Sequence, residues 1–366
     1  MTSGIAFNGK FLSASPTGVH RVAAELTTHV DRQLTDYANG SFAGTWDVIC
    51  PKDRKYALDL KNMRCWSAGV FTWQPWEQFD LPSLARGKVL VNLCNLAPLF
   101  HRHSITMIHD AQVFTTPQSY GRAFRNWYRF ALPRIGATAA RILTVSEFSK
   151  SQLVKVGIAA PGKIQVIHNG VDHMKKIASS RDAVIRLGLT RNKYVVALAS
   201  TQDHKNISVL FKAFALTTMS AFKLVLVGRA REPEFRAAGM RPPNNTIFAG
   251  YVTDGEMRGL MEEAACFALP STTEGFGLPP VEAMAVGCAA VVAPCGALPE
   301  VCGSAAVYVD ATDVEGWGQA MKTFAEDGIA RQAAINKGLE HVKDLTWHQA
   351  ASTLLGTIYE VAKEAS

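Results

Sequence analysis

Two glutamates, Glu274 and Glu282, are separated by seven residues in a stretch that leads from an apolar run into a helical pattern. Cys266 to Leu269 has the apolar character of a buried parallel strand, and a polar, glycine-rich loop follows it. Pro279 and Pro280 then occupy positions that a helix favours in its first turn. We therefore expect Glu274 in a strand-to-helix loop and Glu282 in the first turn of the helix.

In open parallel sheets, ligands bind at the carboxyl ends of the strands. The N–H groups of Gly277 and Leu278, at the expected helix start, are suited to a phosphate, and the two carboxylates would accept sugar hydroxyls. This pattern predicts a site for a sugar joined to a phosphate. The alternative is that Glu274 is a solvated loop charge and Glu282 a helix-start residue, each stabilising by a few tenths of a kcal/mol.

The bulk composition indicates a globular protein with room for two domains, since the chain has 366 residues and 48% hydrophobic content. No apolar run approaches the roughly 18 residues needed to span a bilayer, and the start of the chain lacks the pattern of a secretory signal. Seven cysteines without a C-x-x-C pair indicate reduced, buried thiols and no zinc site. We expect a cytoplasmic protein whose net charge of +7 suits anionic partners.

Three further residues that could contact a substrate lie near the ends of expected strands. Gly18 follows the turn Ser15-Pro-Thr and begins a helical pattern, where glycine permits close approach of a diphosphate or simply a tight turn. His109 ends the strand that begins at Ser104, and it is either structural or a partner of a sugar hydroxyl or of charge at the reacting carbon. Lys205 lies between a strand and a helix, which suits a phosphate-binding point charge.

The segment from Tyr120 to Arg134 has helical periodicity, with Arg122, Arg125 and Arg129 on one face and aromatic residues on the other. One interpretation is an amphipathic helix that buries its aromatics and solvates its arginines. The other is electrostatic contact with anionic lipid or a lipid-diphosphate acceptor.

The string from Glu274 to Glu282, EGFGLPPVE, closely resembles the E-x7-E signature of family 4 retaining glycosyltransferases. Ile108-His109-Asp110 resembles the His-Asp segment of that family, and Val145 to Lys150 resembles its strand-to-helix segment "vSefsk". His204-Lys205-Asn206 resembles the phosphate-binding Arg-Lys-Asn segment, with His204 in place of the arginine. The resemblance runs over nearly the whole chain, from Gly18 to the last helix.

The resemblance implies a GT-B fold, in which two Rossmann-like, doubly wound α/β domains face each other across a cleft. We expect an acceptor-binding domain at 1–173, a nucleotide-sugar-binding domain at 174–345, and a helix at 346–366 that packs back on the first domain. The segment from Met174 to Asn192 would be the linker between the halves.

The implied reaction is transfer of a hexose, with GDP-mannose as the first donor to consider, to a glycan or polyprenyl-diphosphate-linked acceptor in cell-surface polysaccharide synthesis. His109, Glu274 and Lys205 would be catalytic. The donor would contact Gly18, Lys205, Phe276, Gly277, Leu278 and Glu282. The chain has no Asp-x-Asp motif, so we expect a metal-independent enzyme without a cofactor, in the cytoplasm or peripheral on the inner face of the membrane, and no nucleic-acid partner.

Other functions remain open at this point. A relative of the same fold would hydrolyse or epimerise the nucleotide-sugar, and a degenerate copy would bind it without catalysis. A nicotinamide-dependent dehydrogenase would share the doubly wound halves, but no G-x-G-x-x-G follows the first strand.

Overall fold

The computed structural model of the protein describes residues 4–14, 17–35 and 44–365. Ser3, where we expected the first strand to begin, and the predicted turn residues Ser15 and Pro16 lie outside the described residues. The chain divides into two compact units: unit 1 comprises Met1–Gly170 with Trp347–Ser366, and unit 2 comprises Val171–Thr346. The boundaries expected from the sequence, after 173 and after 345, lie within three residues of these.

Thirteen strands are found among the described residues, and all of their pairings are parallel. They are β1 (Gly4–Asn8), β2 (Thr45–Cys50), β3 (Arg64–Ser67), β4 (Lys88–Asn92), β5 (Ser104–Met107), β6 (Arg141–Thr144), β7 (Ile164–Val166), β8 (Tyr194–Leu198), β9 (Lys223–Val227), β10 (Thr246–Gly250), β11 (Cys266–Leu269), β12 (Ala290–Val292) and β13 (Val307–Tyr308).

The α-helices follow most of the strands in the order expected of alternating β and α elements. They are α1 (Gly18–Gln33), α2 (Trp73–Pro75), α3 (Leu81–Leu84), α4 (Gln112–Thr115), α5 (Arg122–Thr138), α6 (Glu147–Lys155), α7 (His173–Lys176), α8 (Asp182–Arg186), α9 (Ile207–Ala215), α10 (Glu232–Ala237), α11 (Asp254–Glu263), α12 (Leu278–Ala285), α13 (Leu298–Cys302), α14 (Val314–Glu326), α15 (Gly328–His341) and α16 (Trp347–Glu364). A π-helical turn, Trp76–Asp80, joins α2 to α3.

Unit 1 contains a seven-stranded sheet with the order β3-β2-β1-β4-β5-β6-β7. The residues of β1, β4 and β5 at its centre are almost all buried, as expected of parallel strands with continuous apolar runs. The last helix, α16, packs against α1, where the Gln33 amide donates to the His348 carbonyl at 2.7 Å. Strand order reverses between β1 and β4, so their carboxyl ends border a topological switch point.

Unit 2 contains a six-stranded sheet with the order β10-β9-β8-β11-β12-β13. The chain moves outward from β8 to β10 and then returns to the other side of β8 with β11, which places the switch point between β8 and β11. A continuous core of buried aliphatic and aromatic residues lies under α9 and α14, around Phe214, Phe235 and Trp317. Thr253 and Glu256 form a capping box at the start of α11.

The fold has one strand that was not predicted from the sequence, and one sequence expectation about it was wrong. Strand β3 was not predicted, because its four residues are half-exposed and it is positioned by distant contacts: the buried Asp31 carboxylate accepts hydrogen bonds from the N–H groups of residues 61, 62 and 63. The expected linker from Met174 to Asn192 is an integral part of unit 2. Arg258 of α11 donates to the carbonyl of Ile177 at 2.6 Å, and α11 has Gly259 where any Cβ would clash with the carbonyl of Ser180.

Candidate functional site

The switch point of unit 2 lies between the loops that follow β8 and β11. The two loops are joined by the N–H group of Thr272, which donates to the carbonyl of His204 at 2.8 Å. The side-chain amide of Asn206 also donates to the carbonyl of Pro270 at 3.1 Å. These bonds hold the Lys205 loop against the Glu274 loop at the edge where open parallel sheets bind ligands.

Lys205 and Glu274 form an ion pair at this edge, with Nζ 2.7 Å from Oε1. The hydroxyl of Ser271 donates to the same carboxylate oxygen at 2.6 Å. Glu274 is buried, with 8% of its surface exposed, so it is not the solvated loop charge of the alternative interpretation. Ser271 was missed from the sequence, although it lies three residues before Glu274 in the same loop.

The backbone of Glu274 is held by contacts with the loop that contains Gly296 and Ala297. Its carbonyl accepts the N–H group of Ala297 at 2.9 Å, and Gly296, at φ 57°, lies so close that a Cβ there would clash with the Glu274 backbone. Close approach of two backbones therefore requires glycine at position 296. Contacts within unit 2 therefore fix the position of Glu274.

The helix that follows the loop begins as predicted, with Gly277 at its N-cap in the left-handed region at φ 86°. A Cβ on Gly277 would clash with Leu298. Because Pro279 and Pro280 have no N–H group, the free donors of this helix start are the N–H groups of Gly277 and Leu278, which have no acceptor among the described residues. The side chain of Phe276 is buried, so only its backbone is suited to contact a ligand.

Glu282 is not in the first turn of the helix, as we expected, but is its fifth residue. The helix begins at Leu278, one residue before Pro279, so Glu282 lies in the second turn. Its Oε1 lies 3.2 Å from Nε2 of His173, a buried residue at the start of α7. The sequence did not point to His173, which directly follows the Asn169-Gly-Val-Asp172 turn.

His204, which replaces the arginine of the family segment, is buried. Its burial and, to a smaller extent, the positive charge of Lys205 lower the pKa of His204. It is therefore a neutral side chain beside the ion pair. Arg229, after β9, is exposed and forms no ion pair within the described part of the chain. Its loop lies at the same edge of the sheet, next to that of β8.

Unit 1 has a polar network at its own switch point. The Asn8 amide, at the end of β1, donates to Glu77 Oε1 at 2.8 Å and to Asn92 Oδ1 at 3.0 Å. The buried Glu77 also accepts Lys10 Nζ at 2.5 Å, and Lys10 bonds Gln74 at 3.1 Å. This network orients the Lys10 ammonium group at the edge of the sheet.

A cavity of about 250 Å³ lies beside that ammonium group and is lined entirely by residues of unit 1. Trp73, at its rim, is 75% exposed and has φ 55°, a conformation that bulky residues rarely adopt. Strained residues of this kind cluster at functional sites. The polar lining comprises Lys10, Ser13, His20, Asp53, Gln74 and Tyr128.

His109 lies two residues beyond the end of β5 in unit 1 and is buried. Its Nε2 is 2.9 Å from the carbonyl of Leu93, and because a carbonyl only accepts, Nε2 carries the proton. Burial lowers the pKa of His109 to about 4, so the ring is neutral at physiological pH and Nδ1 is an acceptor. Hydrogen bonding to a sugar hydroxyl and support of the charge at the reacting carbon both stay predictions for this neutral ring. Asp110 caps the following turn through the N–H group of Gln112, at 2.9 Å.

Gly18 is the first residue of α1 and is exposed. A Cβ at this position would meet no atom within 4 Å, so packing does not require glycine there. Close approach of a diphosphate stays a prediction for Gly18.

Helix α5 contains the three arginines, but they do not form a uniformly solvated face. Arg125 is half-buried, and its Nε has no hydrogen-bond partner among the described residues, while Arg129 lies over the ring of Phe114 at 5.9 Å. Phe124, one of the aromatic residues that the first interpretation of this helix would bury, is 44% exposed.

An exposed apolar patch lies elsewhere on unit 1, formed by Val70, Phe71, Trp73, Phe79 and Phe100. The rings of Phe71 and Phe79 are 6.0 Å apart, and Gln78 bonds the N–H group of Leu99, next to Phe100, at 3.1 Å. The Asp80 carboxylate accepts the N–H groups of Val70 and Phe71, both at 2.8 Å. Hydrogen bonds therefore fix the loop that carries Val70 and Phe71 of the apolar patch. None of the side chains of the patch was identified from the sequence.

Among the described residues, no group of three or more His, Cys, Asp or Glu is arranged to hold a metal ion. Within the same part of the chain, every helix is too short or too polar to cross a bilayer.

Two family models match the chain: one described as Glycosyl transferases group 1, over residues 184–341, and one described as Glycosyltransferase Family 4, over residues 50–175. Together the matches cover more than half of the sequence. The first includes Lys205, Glu274 and Glu282, and the second includes His109.

Curated relatives give the same class of enzyme. The chain is 27% identical over 267 residues to the O-antigen chain mannosyltransferase B of Escherichia coli, a match that covers 68% of each chain. It is also 27% identical over 215 residues to the GDP-mannose:cellobiosyl-diphosphopolyprenol alpha-mannosyltransferase of Komagataeibacter xylinus, which covers 52% of each.

Among solved structures, Anabaena HepE in complex with UDP and glucose has a similar fold, with a TM-score of 0.70 and 16% identity. The alignment covers 98% of this chain and 100% of HepE. The similarity therefore extends over both Rossmann-like units.

Proposed function

The chain belongs to the family 4 glycosyltransferases and has the GT-B fold, and from this premise we propose that it transfers a hexose from a nucleotide-diphospho-sugar to a glycan or lipid-linked acceptor in cell-surface polysaccharide synthesis. The observation that carries the proposal is the ion pair between the partly buried Lys205 and the buried Glu274 at the β8/β11 switch point. The Glu274 loop leads to the free N–H groups of Gly277 and Leu278.

The donor's diphosphate would be held by Lys205 and by the two free N–H groups, which together supply one full charge and two oriented donors. Since His204 is neutral and buried, Lys205 carries the charge in this segment. Glu282 would accept the ribose hydroxyls. His173 would position the Glu282 carboxylate from the other side, given the 3.2 Å contact.

The transferred sugar would lie at Glu274, whose Oε1 is occupied by Lys205 and Ser271. In the front-face, retaining reaction that we propose, the acceptor oxygen bonds to the anomeric carbon on the side from which the diphosphate leaves. The acceptor's proton passes to the leaving phosphate oxygen. Lys205 and the N–H groups stabilise the charge that develops on the leaving group. We propose that the reaction needs no metal ion.

GDP-mannose is the first donor to test because the relatives include O-antigen mannosyltransferases and a GDP-mannose-dependent enzyme. The second is UDP-glucose, because the complex of HepE holds UDP and glucose.

For the acceptor, the cavity of unit 1 supports a sugar-binding role. Its volume suits a single sugar ring, the exposed Trp73 offers an aromatic face, and Lys10 and Gln74 offer polar partners whose positions the network of Glu77 fixes. We propose that the acceptor's terminal sugar binds here.

A lipid-linked acceptor is supported by the apolar patch, which shares Trp73 with the cavity. A lipid surface would remove these exposed side chains from water at a gain of about 25 cal/mol per Å². In our proposal this patch, rather than the arginines of α5, provides the main membrane contact, since Arg125 is half-buried.

Vesicle sedimentation separates the two surfaces. Phe71→Ser/Trp73→Ser should weaken binding to neutral and anionic vesicles, whereas Arg122→Gln/Arg125→Gln/Arg129→Gln should weaken binding to anionic vesicles alone. The matched control is Ile185→Ser/Ile329→Ser, which changes two exposed apolar residues of unit 2. Equal sedimentation of the patch variant and this control would contradict the patch's role.

The enzyme's function is tested by thermal-shift screening against UDP, GDP, ADP and dTDP, followed by the matching sugar nucleotides. A ligand at about 100 times its dissociation constant should stabilise the fold by about 2.7 kcal/mol. Turnover of the selected sugar nucleotide should then require an acceptor. Release of free sugar or of an epimer without acceptor would favour the hydrolase or epimerase, and binding without turnover would favour a non-catalytic relative.

A further inference from the structure

Two cysteines of unit 1 face each other on adjacent strands, and neither has been assigned a role in donor or acceptor binding. Cys50 ends β2 and Cys65 is the second residue of β3. Val48 pairs with Cys65 and Cys50 pairs with Ser67, so the two cysteines occupy diagonal positions on one face of the sheet. Their sulfur atoms are 3.8 Å apart.

The positively charged side chain of Arg54 contacts one of the two cysteines. The guanidinium Nη1 of Arg54 lies 2.9 Å from Sγ of Cys65 and donates to it. The hydrogen bond from the Cys50 thiol, together with the charge of Arg54, lowers the pKa of Cys65 to about 6. The hydrogen bond with Cys65, with burial, raises the pKa of Cys50. At neutral pH Cys65 is therefore a thiolate beside a protonated thiol, the arrangement of attacking and resolving sulfurs.

The other cysteines have the opposite character. Burial raises the pKa of Cys94, Cys288, Cys295 and Cys302 to about 12, and it raises the pKa of Cys266 well above its usual value. Cys266, Cys288 and Cys302 are buried, as expected from the sequence, whereas Cys94 and Cys295 are half-buried like Cys65 but have a raised pKa.

The positions of the two cysteines allow an oxidant to reach Cys65 and the two sulfur atoms to approach each other. Cys65 is half-buried, and β3 is a four-residue edge strand, so a small oxidant reaches it from solvent. Cys50 is buried, and its sulfur lies against Gly9, where any Cβ would clash with it. A disulfide of about 2.05 Å requires the sulfurs to approach by about 1.8 Å, a shift available to a short edge strand.

We propose that Cys65 and Cys50, with Arg54, form a hydroperoxide-sensitive dithiol. The Cys65 thiolate attacks one peroxide oxygen, the O–O bond breaks, and the leaving oxygen takes a proton, which gives the Cys65 sulfenic acid and water or an alcohol. The Cys50 sulfur then bonds to the Cys65 sulfur as the S–O bond breaks, and a second water leaves with the Cys50 proton. The two thiols are oxidised by two electrons, and the hydroperoxide is reduced. This proposal does not depend on the donor or the acceptor.

The first test is alkylation of the reduced full-length protein by iodoacetamide, followed by peptide mapping at several pH values. Cys65 should react with a midpoint near pH 6 and, at pH 6.5, at least about tenfold faster than Cys94 and Cys295, the other half-buried cysteines. Arg54→Gln should slow it several-fold. Reaction of Cys65 no faster than Cys94 and Cys295 would overturn the proposal without requiring any variant.

The second test is titration with hydrogen peroxide. The wild type should lose two hydrogens by intact mass and give a Cys50–Cys65 disulfide peptide. Cys50→Ser should instead accumulate a Cys65 sulfenic acid that dimedone captures, and Cys302→Ser, the matched control, should behave as wild type. A dimedone adduct on the wild type without the disulfide, or a disulfide between other cysteines, would overturn the assignment of Cys50 as the resolving thiol.

Discussion

Replacing Glu274 by glutamine removes the negative charge that faces Lys205 and keeps the size of the side chain and an oxygen acceptor for Ser271. Lys205 Nζ is 2.7 Å from Glu274 Oε1. A diphosphate that recruits Lys205 must therefore compete with this carboxylate. We expect Glu274→Gln to bind bare nucleoside diphosphate more tightly than the wild type, while it loses transfer activity.

The size of the effect follows from the contact. Hydrogen bonds to charged groups contribute about 1.5–3 kcal/mol, and the Lys205 side chain is 23% exposed, which places this one toward the lower end. Release of Lys205 from this competitor should therefore lower the dissociation constant of the diphosphate by about tenfold. The turnover number should fall because the reacting sugar loses its partner.

Calorimetry with the bare nucleoside diphosphate measures the first effect without contributions from the sugar, and steady-state transfer measures the second. Glu315→Gln, which removes an exposed negative charge of α14, is the control for net charge. A weaker or unchanged affinity in Glu274→Gln would refute the competition between Glu274 and the phosphates for Lys205.

Three further outcomes are expected. Glu282→Ala should raise the dissociation constant of the nucleoside diphosphate by about one to two orders of magnitude, because the hydrogen bonds to the ribose are lost. His173→Phe should raise this dissociation constant less. If calorimetry gives Glu282→Ala the affinity of the wild type, Glu282 does not bind the ribose. Transfer should keep its full rate in EDTA, and a loss that magnesium or manganese restores would exclude metal-free catalysis. Because burial lowers the pKa of His109 from 6.5 to about 4, its contribution to the free energy of unfolding, about 3 kcal/mol, is present above pH 6.5 and is lost as the pH falls toward 4. An NMR titration midpoint near 6.5 for the folded protein would contradict this.

The alternation of strands and helices was predictable because parallel strands buried on both faces have continuous apolar runs, as in Tyr194–Leu198 and Cys266–Leu269. The start of α12 was predictable within one residue from Gly277 and the two prolines. Strand β3 was not, because long-range hydrogen bonds to Asp31 determine its position. Local propensity does not report such contacts.

The candidate site shows the same division. Glu274 and Lys205 were identified from motifs, but their contact depends on the adjacency of β8 and β11, which is a property of topology. The contact between His173 and Glu282 joins residues more than a hundred positions apart and left no signal in local sequence. The charge state of His109 depends on its burial, which the strand pattern alone does not determine.

The most direct test of the central claim is the anomeric configuration of the product. The sugar nucleotide that stabilises the protein most is incubated with an acceptor, and the one-bond carbon–proton coupling at the new glycosidic centre is recorded by NMR. We expect the donor's anomeric configuration to be retained, and Lys205→Met to form little or no product. An inverted configuration, or undiminished transfer by Lys205→Met, would contradict retaining transfer at the β8/β11 switch point.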